Sequence, residues 1–155
     1  MKLFQIEEPD GASADPNAPG AAVAIDASGN HAEVAFSVGG NALVLRDREG
    51  FERALPVPAN GAETGAWQEL FEGARMRAER LLGRPVTHAV IALATQPDRR
   101  TAVCILEAAE QAGLEVLRLA AGAELAAGPI RVLAAAMLAE DLAPRPDVDP
   151  APGSG

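Results

Sequence analysis

The 155-residue sequence contains one cysteine, one lysine, no tyrosine, four phenylalanines and one tryptophan. A single cysteine excludes a disulfide framework and a thiolate metal site within the chain. So few aromatic rings argue against a stacking platform for nucleic-acid bases. No window reaches the roughly 18 consecutive apolar residues that a membrane-spanning helix requires. These absences argue against several classes of binding site before any motif is considered.

Basic residues are outnumbered, because 13 Lys and Arg stand against 22 Asp and Glu and the formal net charge is −9. The twelve arginines are spread along the chain, whereas proteins that bind nucleic acid cluster Lys and Arg against phosphates. The first residues, MKLFQIEEPDG, lack the basic start and apolar stretch of a secretory signal. We therefore expect a cytoplasmic protein that has no nucleic-acid partner and no membrane partner.

The middle of the chain has the composition of a single folded domain, and both ends differ from it. Residues 1–20 are acidic and rich in Pro, Gly and Ala, and residues 143–155 are rich in Pro. Such segments bury too little apolar surface to offset the entropy of ordering them. We predict a disordered acidic tail over 1–20, a folded domain over 21–142 and a disordered tail over 143–155.

Within the predicted domain the hydrophobic pattern indicates the element order βββαβαβα. Alternation predicts strands at 22–26, 31–38 and 42–46, with a Gly39-Gly40-Asn41 turn and an extended piece near 54–57. The apolar run over 87–94 predicts a buried parallel strand, and 115–119 predicts the next one. Parallel crossovers are right-handed, which favours a mixed five-stranded sheet of order 3-2-1-4-5 with helices on both faces.

Three helices complete the pattern. The first, 66–82, ends at Gly83 and has an apolar stripe at Trp67, Leu70, Phe71, Ala74, Ala78, Leu81 and Leu82. Asp98 is the predicted N-cap of the second helix and Gly113 its stop. The third is predicted to open at Pro129 and run to about 142. Its predicted buried side is Ile130, Leu133, Met137, Leu138 and Leu142.

The segment 84–119, RPVTHAVIALATQPDRRTAVCILEAAEQAGLEVLRL, resembles the nucleotide-binding domain of DnaK-type heat-shock chaperones. In that family a "PVT-AVI-(apolar)-P" strand leads through a helix to "AGL-V-R-(apolar)" at the same spacing. The resemblance implies the ribonuclease H-like unit of the actin-like ATPase superfamily, α/β with the strand order given above. Those ATPases contain this unit in each of two lobes, and this chain has room for it once.

In that family the loop after the first strand binds phosphate, with the pattern "GIDLGTTNS". Asp26 matches the aspartate that orients metal-bound water, while Ser28, Gly29 and Asn30 stand where the family has Gly, Thr and Thr. The same four residues suit an ordinary tight hairpin turn. Two interpretations stay open: a plain hairpin, or a residual phosphate loop with weak affinity for Mg-ATP.

Other parts of the ATPase site are missing from the sequence. The lysine that would stabilise the transferring phosphate has no counterpart, because the sole lysine is Lys2. No second phosphate loop of the "DLGGGTFD" type occurs. In one alignment register Glu124 replaces the family's metal-positioning glutamate. In the other, Gly128 and Pro129 align with that motif's Glu-Pro and the acid is lost. We expect no catalytic residue and no metal site.

These observations favour a degenerate one-lobe relative of the chaperone ATPases that acts as a protein-binding or regulatory module without ATP turnover. The alternative is an ATP-binding subunit that completes its nucleotide site with another chain. A structural role, with assembly through the sheet edge, is a third hypothesis. A ribonuclease H-type nuclease is disfavoured because one convincing carboxylate, Asp26, does not hold two metal ions.

Overall fold

The computed structural model describes residues 20–46, 54–59, 62–121, 124–125 and 131–144. Residues Gly20–Ala143 belong to one compact unit. The predicted tails, 1–20 and 143–155, lie outside the described residues except for Gly20 and residues 143–144. Their disorder therefore stays a prediction.

Five strands form one mixed sheet of order β3-β2-β1-β4-β5. Strand β2 is antiparallel to both β1 and β3, whereas β1, β4 and β5 run parallel. The α/β class, the element order and the 3-2-1-4-5 strand order predicted from the sequence are confirmed. The strand bounds are β1 Ala21–Asp26, β2 Glu33–Val38, β3 Asn41–Val44, β4 Val86–Leu93 and β5 Glu115–Ala121.

The helices are α1 Thr64–Leu82, α2 Arg99–Gln111 and α3 Arg131–Leu142. The predicted end of α1 is confirmed, because Gly83 closes it with a left-handed backbone. The predicted cap of α2 is confirmed as well, since Asp98 accepts a hydrogen bond from the Thr101 N–H. At the other end of α2, Gly113 has φ 89° and the Leu114 N–H reaches back to the carbonyl of Ala109. That is a Schellman stop, which needs a residue without Cβ strain at the left-handed position.

The sheet is buried on both faces, and side chains of β1 alternate between two apolar clusters. Val23 and Ile25 pack with α1 and α2 on one face, whereas Ala22 and Ala24 pack with α3 on the other. The predicted stripe of α1 is confirmed, because its residues from Trp67 to Ala78 are at most 5% exposed and Leu81 and Leu82 are partly buried against the same cluster. This burial on both sides explains why β1 and β4 read as continuous apolar runs.

The prediction for the buried side of α3 is wrong. The buried residues are small, Val132, Ala135, Ala136 and Ala139, whereas Met137 and Leu142 are 46% and 40% exposed. Leu133 and Leu138 are only partly buried, and Ile130 and Pro129 lie outside the described residues. The physical reason is the sheet face beneath, which presents the alanines of β1, β2 and β4. Alanine against alanine lets the helix approach the sheet closely, and the bulkier side chains are left outside.

The start of β2 and the end of β3 differ from the predicted bounds. The predicted start of β2 at His31 is wrong: the strand begins at Glu33, because His31 instead forms a bridge with Pro56. The neighbouring Ala32 N–H donates to the Leu55 carbonyl at 2.7 Å. Strand β3 ends two residues earlier than predicted, at Val44. The extended piece predicted near 54–57 is therefore found, and it pairs with the residues just before the second strand.

A carboxylate from α3 holds the hairpin between β2 and β3. Glu140 accepts hydrogen bonds from the Ser37 hydroxyl at 2.8 Å and from the Gly39 and Gly40 N–H groups at 2.6 and 3.0 Å. Both glycines have positive φ, 61° and 81°, so their amides can turn toward one acceptor at little conformational cost. The hairpin is thus fixed to the helix about a hundred residues later in the chain.

Candidate functional site

The carboxyl ends of β1 and β4 form the natural site of this topology. From β1 the chain continues to β2 on one side, and from β4 it crosses through α2 to β5 on the other. Where neighbouring parallel strands send their connections in opposite directions, a crevice opens beyond their carboxyl ends, and ligands of open α/β sheets bind there. Both α1 and α2 also begin at this edge, since they return toward the amino ends of the strands.

A cleft of about 980 Å³ lies at this edge. Buried Trp67, Leu93 and Ile105 supply apolar lining, and Ser28, Thr95 and Thr101 supply hydroxyl groups. Its described lining residues carry three acids and one arginine: Glu63, Asp98, Glu107 and Arg100. The volume suits a ligand the size of a nucleotide, but the excess of acid does not suit a polyphosphate without a bound cation.

The loop that matches the family's phosphate loop forms an Asx turn. Asp26 Oδ1 accepts a hydrogen bond from the Ser28 N–H at 2.9 Å, so the Ser28 amide is already used within the turn. The Asn30 carbonyl accepts from the Val57 N–H at 2.9 Å, which attaches the loop to the extended piece. Of the four candidate residues only Ser28 lines the cleft, while Gly29 and Asn30 are exposed on the turn.

The N-terminus of α2 is occupied by its own cap. Asp98 Oδ1 lies 2.7 Å from the Thr101 N–H, and this hydrogen bond lowers the pKa of the carboxyl below its ordinary value. The helix dipole and the nearby Arg100 favour the same ionised form. An anion that approached this helix end would meet a carboxylate that already uses the Thr101 amide.

At the N-terminus of α1 the arrangement is different. Glu63 precedes the helix and makes no side-chain cap hydrogen bond. Thr64 instead faces α2, where its hydroxyl lies 3.2 Å from the Cys104 thiol. The thiol also lies 3.8 Å from the Ala62 carbonyl, which is its acceptor. No histidine or lysine is among the described lining residues, and the Cys104 thiol joins α2 to the segment before α1.

The remaining candidates do not converge on the cleft. Glu124 accepts hydrogen bonds from Arg118 and from the Ala121 N–H, and these two donors lower the pKa of its carboxyl. In the alternative register, Gly128 and Pro129 lie outside the described residues. His88 is buried at the opposite end of β4, with Nδ1 2.7 Å from the Thr87 hydroxyl. Over the described ranges, no three His, Cys, Asp or Glu side chains are grouped so that they could hold a metal ion.

Sequence reasoning identified the loop after β1 but missed the residues that α1 and α2 bring to the cleft, Thr64, Arg100 and Thr101. A usable signal existed, because the predicted cap at Asp98 and the rule that crossover helices begin at the carboxyl edge place Thr101 there. No comparable signal marks Thr64, whose position depends on packing between the two helices.

None of the described helices is long and apolar enough to cross a bilayer.

No protein-family model matches the chain, and no curated protein matches it either. The candidate site is therefore interpreted from its own geometry.

Proposed function

We propose that this chain is a degenerate, one-lobe relative of the chaperone ATPase domains, and that it acts in the cytoplasm as a protein-binding or regulatory module without ATP turnover. The observation that carries the proposal is the orientation of α3. Its alanines face the sheet, while Met137 and Leu142 are 46% and 40% exposed. A helix of this size normally buries its largest apolar side chains.

Further apolar side chains are exposed on other elements. Val103 and Leu106 of α2 are 48% and 43% exposed, and Val38 and Leu43 of the β2–β3 hairpin are 60% and 52% exposed. Single exposed apolar residues are ordinary on protein surfaces. Val103 and Leu106 lie three residues apart on one side of α2, and α2 packs on the opposite face of the sheet from α3. A pair of exposed apolar side chains on one side of a helix is apolar surface that a partner protein would cover.

The loop geometry supports the absence of turnover. In a phosphate loop the aspartate orients metal-bound water and the amides face the anion, whereas here Asp26 accepts from the Ser28 amide. The sole lysine of the chain, Lys2, is far in sequence from every cleft residue. The described lining residues of the cleft include no lysine, the group that stabilises the transferring phosphate in the chaperone ATPases.

The alternative is an ATP-binding subunit that completes its site with another chain. The cleft of about 980 Å³ at the carboxyl edge of β1 and β4 favours it, because a nucleotide held there would be open to a second lobe. Arg100 at the start of α2 is the described cleft residue suited to contact a phosphate.

Thermal melting with Mg-ATP and Mg-ADP, together with a phosphate-release assay, separates the two functions. Our proposal predicts a melting temperature that changes by less than about a degree and phosphate release at background. The ATP-binding subunit would instead be established by sub-micromolar affinity for Mg-ATP together with phosphate release above background, if the Asp26→Asn variant abolishes that affinity.

The binding function itself is tested with the tagged full chain in extract of its own cells. We expect a co-purifying protein to be retained by wild type and largely lost from the Met137→Ser, Leu142→Ser double variant. Met76→Ser is the matched control, since Met76 is 59% exposed on α1. Equal retention by all three proteins would remove α3 from the binding surface.

A further inference from the structure

A second groove lies at the amino ends of β4 and β5, whereas the cleft lies at the carboxyl ends of the strands. It has a volume of about 550 Å³ between the second half of α2 and the start of β5, with Leu106, Glu110, Leu114, Glu115 and Val116 among its lining residues. In the part of the chain that the structure describes, β5 pairs only with β4 and ends the sheet. No further strand covers the β5 side of the groove in that part of the chain.

The charge in this groove is of one sign. Glu110 and Glu115 are both exposed, and the Glu115 side chain is 75% accessible. No arginine or lysine is among the described lining residues. Arg75 reaches the end of α2 from α1, where it is bonded to the Ala112 carbonyl and paired with Glu79 at 3.0 Å. Glu110 and Glu115 thus face solvent, and among the described lining residues only His88 offers them a basic group.

Apolar surface lies next to the acids. Leu106 is 43% exposed, and Val116 is half-buried at the edge of the core cluster. Leu106 and Glu110 are four residues apart on α2, so they share one side of the helix. Below them, His88 is 9% exposed and its Nε2 lies 3.6 Å from a Glu115 oxygen. The groove therefore combines apolar surface at Leu106 and Val116 with the acidic side chains of Glu110 and Glu115, and the buried His88 lies beneath them.

We propose that this groove binds an extended basic segment of a partner protein, with a Lys or Arg side chain between Glu110 and Glu115 and an apolar side chain over Leu106. Alternate side chains of an extended segment point the same way and lie roughly 7 Å apart, which fits a basic residue two positions from an apolar one. The net charge of −9 adds long-range attraction for such a partner. The inference rests on the proposed protein-binding function and names the surface and the partner chemistry.

The test uses the full-length protein and a labelled short peptide in which arginine and valine alternate with threonine. Fluorescence anisotropy measures its affinity at low salt. We expect saturable binding that weakens about tenfold in the Glu110→Gln, Glu115→Gln double variant, with a similar loss in Leu106→Ser. The matched control is Glu69→Gln with Asp141→Asn, which removes the same charge from exposed acids on α1 and α3.

Amide chemical shifts give the location. On addition of the peptide, the shifts of Glu115, Val116 and the second half of α2 should move, while those of the Asp26–Asn30 turn should not. A peptide with glutamate in place of arginine should not bind. Equal weakening by the control variant, or shifts confined to the other cleft, would overturn the proposal and leave only general charge attraction.

The same peptide and variants also test two other occupants of the groove, a small cation and a second copy of this chain. If spermidine displaces the peptide at lower concentration than the unlabelled peptide does, the groove is a small-cation site and the proposal is wrong. If sedimentation shows a dimer that the groove variant dissociates, the occupant is a second copy and the proposal is wrong. If the co-purifying protein is retained equally by wild type and groove variant, the groove assignment fails while the protein-binding function stands. If neither retains a protein, the function fails.

Discussion

Truncating Phe71 to alanine should destabilise the domain more than any single surface change. Phe71 lies in the middle of α1, is 0% exposed and packs against Trp67 with ring centroids 5.9 Å apart. It belongs to the larger apolar cluster, which α1 and α2 form with one face of the sheet. Its ring therefore contributes both burial and a specific aromatic contact.

The expected magnitude follows from the burial. A phenylalanine side chain removes roughly 150–200 Å² from water, and at about 25 cal/mol per Å² this is worth about 4–5 kcal/mol. Alanine keeps about 0.8 kcal/mol of that for its methyl group, and the cavity left behind adds to the loss. We expect Phe71→Ala to lower the free energy of unfolding by about 3–5 kcal/mol. Because small domains have only about 5–15 kcal/mol in total, the variant will be marginal.

The measurement is urea unfolding followed by circular dichroism and tryptophan fluorescence. Phe71→Leu, with a smaller loss, keeps the comparison quantitative if the alanine variant does not fold. Met76→Ala is the matched control on the same helix, since Met76 is 59% exposed and its truncation should cost below about 0.5 kcal/mol. A loss below about 1 kcal/mol for Phe71→Ala, with an unchanged denaturant slope, would refute the packing described for α1.

Three further outcomes are expected. Glu140→Gln should cost about 1–3 kcal/mol in urea unfolding, because the neutral amide cannot accept all the hydrogen bonds of the hairpin, whereas Asp141→Asn, one residue on, should be near neutral. At pH values above the ordinary pKa of an aspartate, the ionised Asp98 side chain stabilises the fold, and this contribution is lost as pH falls through its lowered pKa. Asp98→Ala should therefore make the melting temperature fall less steeply below about pH 4. A fall as steep as that of wild type would contradict this. Deleting 1–18 and 145–155 should leave the melting temperature nearly unchanged, and a loss of several degrees would mean that a tail packs on the domain.

The sheet was predictable because its signals are local. The Gly39-Gly40 turn fixes the second hairpin, and the continuous apolar run of β4 fixes a strand covered on both faces. Helix ends were predictable for the same reason, since Asp98 and Gly113 act within one turn of the helix they bound. Right-handed crossovers then left few arrangements of the strands.

Features that depend on distant partners were not predictable from periodicity. The start of β2 differs because His31 pairs with Pro56, and nothing in the local alternation marks that bridge. The inward face of α3 was misjudged because hydrophobicity ranks Met137 above Ala136, whereas the alanine-lined sheet face selects for small size. Glu140 reaches the Gly39 amide across 101 positions of sequence, and a glutamate near a helix end gives no hint of that contact.

Asp26 and Asp98, which lie beyond the carboxyl ends of β1 and β4, bear on whether the cleft can hold a nucleotide. In a nucleotide-binding site an aspartate after the first strand is left free for metal-bound water, and the amides of a helix end are left free for phosphate. Here Asp26 accepts from the Ser28 amide and Asp98 from the Thr101 amide, so each acid stabilises its own turn. A bound phosphate would compete with Asp26 and Asp98 for these two amides and would approach the other acids of the cleft. The exposed apolar side chains of α2 and α3 carry no comparable cost, since covering them removes apolar surface from water. Together the two effects support our proposal of a protein-binding module without ATP turnover.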